Sequence, residues 1–227
     1  LLASSVIATA LVAQQPATAP AAPPPAEHPI TVSGGPLLPE QAAYDVTFYD
    51  LALRVNPADS TIAGTLAVHA RVVLPLGRLV LDLDTTMRVS DIELLAGPLT
   101  PDTRHLTPGG GGWVRQGGRL WITLPRTLQP GETVAARITY GGRPRLGGFG
   151  GFSWARTPGG APWVTTSVET PGADIWWPCK DHPSDEPDAM ALHYTVPSGL
   201  VAVGNGRFVG RRENRDGTVT YDWFVST

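Results

Sequence analysis

From Tyr44 onward, apolar residues recur at every second position. Val46 and Phe48, then Leu51, Leu53 and Val55, then Ile62, Leu66, Val68, Ala70 and Val72 keep this period, which sends alternate side chains toward a core and toward water and so predicts strands. Further apolar or alternating runs cover Leu79–Leu83, Val89–Leu95, Leu120–Leu124, Val134–Tyr140, Trp163–Val168, Ala191–Val196 and Leu200–Gly204. A final pair, Arg207–Arg211 and Thr218–Phe224, is joined across Asp216-Gly217, a hairpin signal. Pro57-Ala58-Asp59, Pro75-Leu76-Gly77 and Pro130-Gly131 punctuate the runs as turns. No helical stripe of 11 residues or more is present. The expected fold is therefore all-β, a sandwich or saddle-like stack of curved, mostly antiparallel sheets.

Composition sharpens this picture. Of 227 residues, 26 are Gly and 23 Pro, which argues against a mainly helical protein, while 42% hydrophobic content with seven Trp supplies a core. The net charge of −3, with 17 Lys and Arg scattered along the chain, offers no footprint for a phosphate backbone, so nucleic acid is not an expected partner. Cys179 is the single cysteine and has no internal disulfide partner. Residues 1–13 (LLASSVIATALVA) form an uncharged apolar run too short to span a bilayer, with Ala8-Thr9-Ala10 as a small-residue cleavage pattern. This reads as a partial signal peptide lacking its basic start, with a buried strand as the alternative; the protein is expected to be exported, to the periplasm or beyond. Residues 14–43, rich in Pro and Ala, read as a linker that leads into a β domain over 44–227.

The chemistry is concentrated in one segment. His28, His69, His105, His182 and His193 never form HExxH, so the chain carries no recognisable zinc site and no catalytic residue of that type. No GxSxG elbow occurs. Cys179, three residues before His182, reads better as a small buried apolar side chain than as a nucleophile. The glycine runs at 109–112 and 141–151 lack the Lys-Ser/Thr of a phosphate cradle and read as flexible loops. In Glu169–Asp188 (ETPGADIWWPCKDHPSDEPD), Trp176 and Trp177 would anchor a Pro-rich loop, and Asp181, Asp185, Glu186 and Asp188 would be solvated or would cap turns. Calcium is a second reading of these acids, but without EF-hand spacing. Glu169 differs: it follows Val164–Val168 and precedes Thr170-Pro171-Gly172, a carboxylate at a strand end able to hold a ligand's ammonium. An alternative for the whole chain is a secreted, non-catalytic β-sandwich binding carbohydrate or protein on a platform of Trp154, Trp163, Trp176 and Trp177.

Several of these stretches resemble the amino-terminal domain of the aminopeptidase N family of zinc metallopeptidases. They are Tyr44-Asp45-Val46, Tyr49-Asp50-Leu51-Ala52-Leu53, Ile62-Ala63-Gly64, Leu79 to Leu83, Leu120 to Pro125, Gly131-Glu132 and Ile138-Thr139-Tyr140. The most specific is Glu169 through Pro183, with its acid, short loop, aromatic pair, Pro-Cys, Asp and Pro; Val203-Gly204-Asn205-Gly206 resembles the family's Asn-Gly turn. The resemblance implies a saddle-like β domain packed against its own downstream catalytic domain. It also implies that Glu169 binds the free α-amine of peptide substrates. Zinc, the metal whose bound water attacks the scissile carbonyl, would be held by the HExxH helix of the full-length parent and not by this chain. One departure is Asp174, where relatives usually carry Arg. The chain ends at Thr227, ahead of those catalytic motifs, and reads as a fragment cut at both ends that is inactive alone.

Overall fold

The computed structural model describes residues 34–95, 104–106, 112–146, 150–169 and 171–226. The apolar run 1–13 and most of the proline-rich stretch lie outside them. The described residues form thirteen strands: β1 (Tyr44–Asn56), β2 (Thr61–Val72), β3 (Leu76–Asp82), β4 (Met87–Leu94), β5 (Arg104–Leu106), β6 (Trp113–Gln116), β7 (Arg119–Leu128), β8 (Thr133–Gly142), β9 (Gly150–Arg156), β10 (Pro162–Val168), β11 (Ala189–Pro197), β12 (Arg207–Glu213) and β13 (Thr218–Ser226). A single turn of helix, α1 (Pro39–Ala42), precedes them and buries Gln41.

The largest sheet runs β12-β13-β11-β1-β2-β8-β4-β5, a second runs β3-β7-β6, and β9 and β10 make a separate hairpin. Every pairing between these strands is antiparallel except β1 with β11, which run parallel. The parallel pair requires a long crossover, and the chain from β2 to β10, with the loop after it, supplies one. One apolar cluster joins the sheets: Leu51, Leu66 and Ile138 of the large sheet with Leu79, Leu81, Leu120 and Ile122 of the small one. Burying each such side chain contributes roughly 1.5–3 kcal/mol. The all-β, multi-sheet expectation is met.

In β1 the buried residues are Tyr44 and Val46, then Tyr49, Leu51 and Leu53, so the parity changes once. A register shift between Val46 and Phe48 absorbs the extra residue and keeps the same face inward. Phe48, in step with Val46 in the sequence pattern, consequently leaves the core.

Leu200–Gly204, expected as a strand, forms none. Side chains take its carbonyls instead: Tyr221 Oη donates to Leu200 O at 3.0 Å and Trp223 Nε1 to Ala202 O at 3.2 Å. Conversely, the glycines read as loop at 141–151 supply the end of β8 and the start of β9.

Candidate functional site

Glu169 follows directly on β10 and is exposed. The hairpin that carries it is fixed from behind by aromatic rings. Phe152 of β9 stacks on Trp154 with centroids 5.5 Å apart and meets the edge of Trp176 at 5.7 Å. Trp176 continues to Trp177 at 6.1 Å, and Trp177 stands at 88° to Tyr49 of β1 at 4.9 Å. Such edge-on contacts are favoured by the ring quadrupole and add about 0.5–1.5 kcal/mol each beyond area burial. The row therefore couples the free-standing hairpin to the main sheet.

The loop beyond Glu169 is held by polar contacts. Gly172 N donates to Val168 O at 3.2 Å, closing a turn around Glu169. Gly172 has φ of 86°, the left-handed region that favours glycine, and a Cβ there would lie 2.0 Å from Asp181 Oδ2. Asp181 Oδ1 accepts from Ala173 N at 3.2 Å, and Asp181 N donates to Asp82 Oδ2 at 3.2 Å. Asp82 also accepts from Gln41 Nε2 at 2.6 Å and from Arg119 Nε at 3.1 Å. Backbone bonds between Asp82 and Cys179 in both directions, 2.7 and 3.0 Å, add the loop as a further edge to β3.

A second acid, Asp84, accepts from Thr86 N at 2.8 Å and pairs with Arg145, while its own N–H donates to Asp174 O at 2.8 Å. Asp174 is fully buried, and neither carboxylate oxygen has a hydrogen-bond partner. Burial pushes its carboxyl up to about 8, reinforced by the charges of Asp181, Asp82 and Asp84 and opposed by Arg145. Burial also raises Asp82, against the lowering effects of the Asp181 N–H, Arg119 and Gln41.

Lys180 and Asp185 form an ion pair at 2.5 Å with both side chains almost wholly buried. Lys180 Nζ donates to Tyr44 O at 2.7 Å and lies 4.7 Å from the Tyr44 ring centre, while Asp185 accepts from Val46 N at 3.2 Å. The sequence expectation for Asp185 is a solvated acid or a turn cap. It lies inside because Lys180 and a backbone donor of β1 compensate its charge.

The other candidates separate clearly. Trp177 is buried and Trp154 and Trp176 are half-buried, leaving Trp163 alone of the four at 59% exposure, so there is no shared aromatic platform. Cys179 is buried and its thiol is raised well above the usual range by that burial, as befits an inert side chain. His182 Nδ1 bonds Ser184 Oγ at 2.7 Å, and His193 lies between Asp222 at 2.5 Å and Asp50 at 3.3 Å on β13 and β1. Among the described residues no three His, Cys, Asp or Glu converge to hold a metal ion. No helix among them is long and apolar enough to cross a membrane.

The polar frame of the loop after Glu169 thus draws on Asp82, Asp84, Arg119 and Arg145, which its sequence alone does not single out. The one local signal was acid-apolar-acid spacing at Asp82-Leu83-Asp84, at the end of an apolar strand.

Comparison with known proteins gives this arrangement its context. The family profile described as the Peptidase M1 N-terminal domain matches residues 46–227. The chain belongs to the peptidase M1 family. As an M1 amino-terminal domain it is similar to the M1 zinc metallopeptidase of Deinococcus radiodurans, solved as a Glu-to-Ala mutant bound to a Tyr-Ser-Ala substrate. Identity there is 30%, TM-score 0.67, with 86% of this chain and 42% of that chain covered. A two-domain M1 zinc metallopeptidase mutant bound to L-arginine matches at 30% identity and TM-score 0.68, over 86% and 42% of the two chains. The unsubstituted Deinococcus radiodurans enzyme matches at 30% and 0.67, over 86% and 41%. No curated protein matches the sequence. The M1 domain spans less than half the length of these solved relatives.

Proposed function

We propose that this M1 domain anchors the free α-amine of peptide substrates through Glu169 and forms one wall of the cleft in an exported zinc aminopeptidase. The observation that carries the reading is the placement of Glu169: an exposed carboxylate where a strand ends, on a turn closed by Gly172 and backed by Asp181. An ammonium beside such a carboxylate forms a charge-assisted hydrogen bond, and a fixed anchor sets which peptide bond reaches the reacting centre. Relatives have been solved with Tyr-Ser-Ala, L-arginine and L-tryptophan, compounds that share an α-ammonium group.

M1 relatives are zinc metallopeptidases. Among the residues described here no three ligands converge to fit the metal; on this reading its site lies in the catalytic domain of the full-length protein. What this chain contributes is binding and orientation. On this reading the domain alone is inactive, and an assay of it on unblocked peptides tests that. Export is inferred from the apolar run 1–13, and sequencing the mature amino terminus from a periplasmic or culture fraction tests it.

The decisive experiment replaces Glu169 in the full-length protein. Glu169→Ala should raise KM for unblocked peptides at least about tenfold and lower kcat, with Glu169→Gln retaining part of the binding. Unchanged kinetics on unblocked peptides would remove Glu169 from the role.

A further inference from the structure

We propose that Asp181 is a positioning residue for Glu169: its carboxylate sets the turn that fixes where the amine anchor stands. The inference rests on the reading of Glu169 just given and assigns a second residue, twelve positions away, to the same task.

The geometry is specific to this side chain. The turn that begins at Glu169 is closed on its far side by Gly172, in a backbone conformation only glycine adopts without strain. The Asp181 carboxylate occupies the space where a Cβ at Gly172 would lie, with Oδ2 2.0 Å, Cγ 2.5 Å and Oδ1 2.6 Å from that point. Its Oδ1 accepts from Ala173 N at 3.2 Å, satisfying a backbone donor at the start of the single 3-10 turn Ala173–Ile175. Asp181 therefore touches the turn at two consecutive residues.

Asp181 is itself fixed. Its N–H donates to Asp82 Oδ2 at 3.2 Å, and the same oxygen receives the Gln41 amide at 2.6 Å, while Arg119 holds Oδ1 of Asp82 at 3.1 Å. The Asp82–Cys179 backbone bridge pins the chain two residues earlier. The path from the sheet to the anchor runs Arg119 and Gln41, Asp82, Asp181, Gly172 and Ala173, then Glu169. On the other side, β10 and the Phe152–Trp176 contact hold the strand that enters the turn. Both limbs of the turn are thus fastened to the body of the domain, the later one through the Asp181 carboxylate.

The test is a double-substitution cycle in the full-length protein, scored on KM for an unblocked peptide and on the ratio of kcat/KM for that peptide to its amino-acetylated form. Asp181→Ala should raise KM about tenfold and lower the ratio, because it frees the turn and leaves the Ala173 N–H without its acceptor. Asp181→Asn, which keeps an acceptor oxygen of the same size, should recover most of the loss. In a Glu169→Ala background, Asp181→Ala should cost little more, since both substitutions disable one anchor. Full additivity of the two losses, or an unchanged KM in folded Asp181→Ala protein, would overturn the positioning role while leaving Glu169 as the anchor. If Glu169→Ala itself leaves KM and the ratio unchanged, the anchor reading fails, and this inference with it. Where Asp181→Ala does not fold, Asp181→Ser, whose shorter side chain withdraws the acceptor from Ala173 N, is scored in both Glu169 backgrounds: a raised KM with Glu169 present and little further loss without it supports the positioning role, and an unchanged KM overturns it.

Discussion

Replacing Asp174 by Asn should make the domain more stable at neutral pH, although it removes a carboxyl group from the middle of a polar network. Asp174 is fully buried with both oxygens unpartnered, and its carboxyl is pushed up to about 8 from a usual value of 3.8. Over the interval between those values the native state holds a proton that the unfolded chain releases, so native stability falls as pH rises through it. The contribution is fully present below about pH 3.8, is progressively lost toward pH 8, and is constant above. At pH 7 about three pH units of that interval have been crossed, at ~1.4 kcal/mol each, which gives a cost of up to about 4 kcal/mol. An amide of the same shape has no such titration. Urea unfolding followed by Trp fluorescence, for the wild-type domain and Asp174→Asn between pH 4.5 and 8.5, should show the curves close together at the acid end. They should diverge with rising pH, the variant reaching an advantage of a few kcal/mol, or roughly 10 °C in Tm. Asp82, also raised by burial, is common to both proteins and cancels in the difference. Parallel curves would show that the carboxyl is not held neutral, and the account of this buried acid would be wrong.

Two further expectations follow from buried groups. Lys180→Ala leaves Asp185 charged, buried and without its cation, so it should cost about 3–5 kcal/mol and lower Tm by roughly 10 °C in a melt followed by circular dichroism. A variant that melts with the wild type would show that the pair is solvated. Cys179 should resist alkylation in the native domain at pH 8 and react fully once denaturant is added, because burial both shields the thiol and raises it; rapid native labelling in a thiol-titration assay would contradict that.

Much of the fold was legible along the chain because a half-buried strand writes its environment into every second residue. β2, β4, β7, β8 and β10 coincide with alternating or apolar runs to within a few residues at each end. The strands that went unread are β5, β6 and β9. The first two are only three and four residues long, and β9 begins inside a glycine run that carries no alternation. Leu200–Gly204 erred in the other direction: its apolar spacing suits a strand, yet the hydroxyl of Tyr221 and the indole of Trp223 reached its carbonyls and no strand paired with it. The bulge in β1 is of the same kind, a choice between burying Phe48 and burying Tyr49 that only the opposing strands could make.

What the sequence alone determined is therefore the local part: an all-β chain, its hairpin turns, and a carboxylate at Glu169 where a strand gives way to a Pro-Gly turn. Only the tertiary structure could decide which distant groups fasten the loop that follows it. Asp82 lies 99 residues from Asp181, and Lys180 lies 136 residues from the Tyr44 carbonyl it grips. It likewise decided that Asp174 and Asp185, alike as acids in one loop, would be respectively unpartnered and paired inside the protein. Periodicity reports which face of its own element a residue occupies. Charge compensation depends on which distant donors the fold brings within 3 Å, and one strand's pattern contains no information about that.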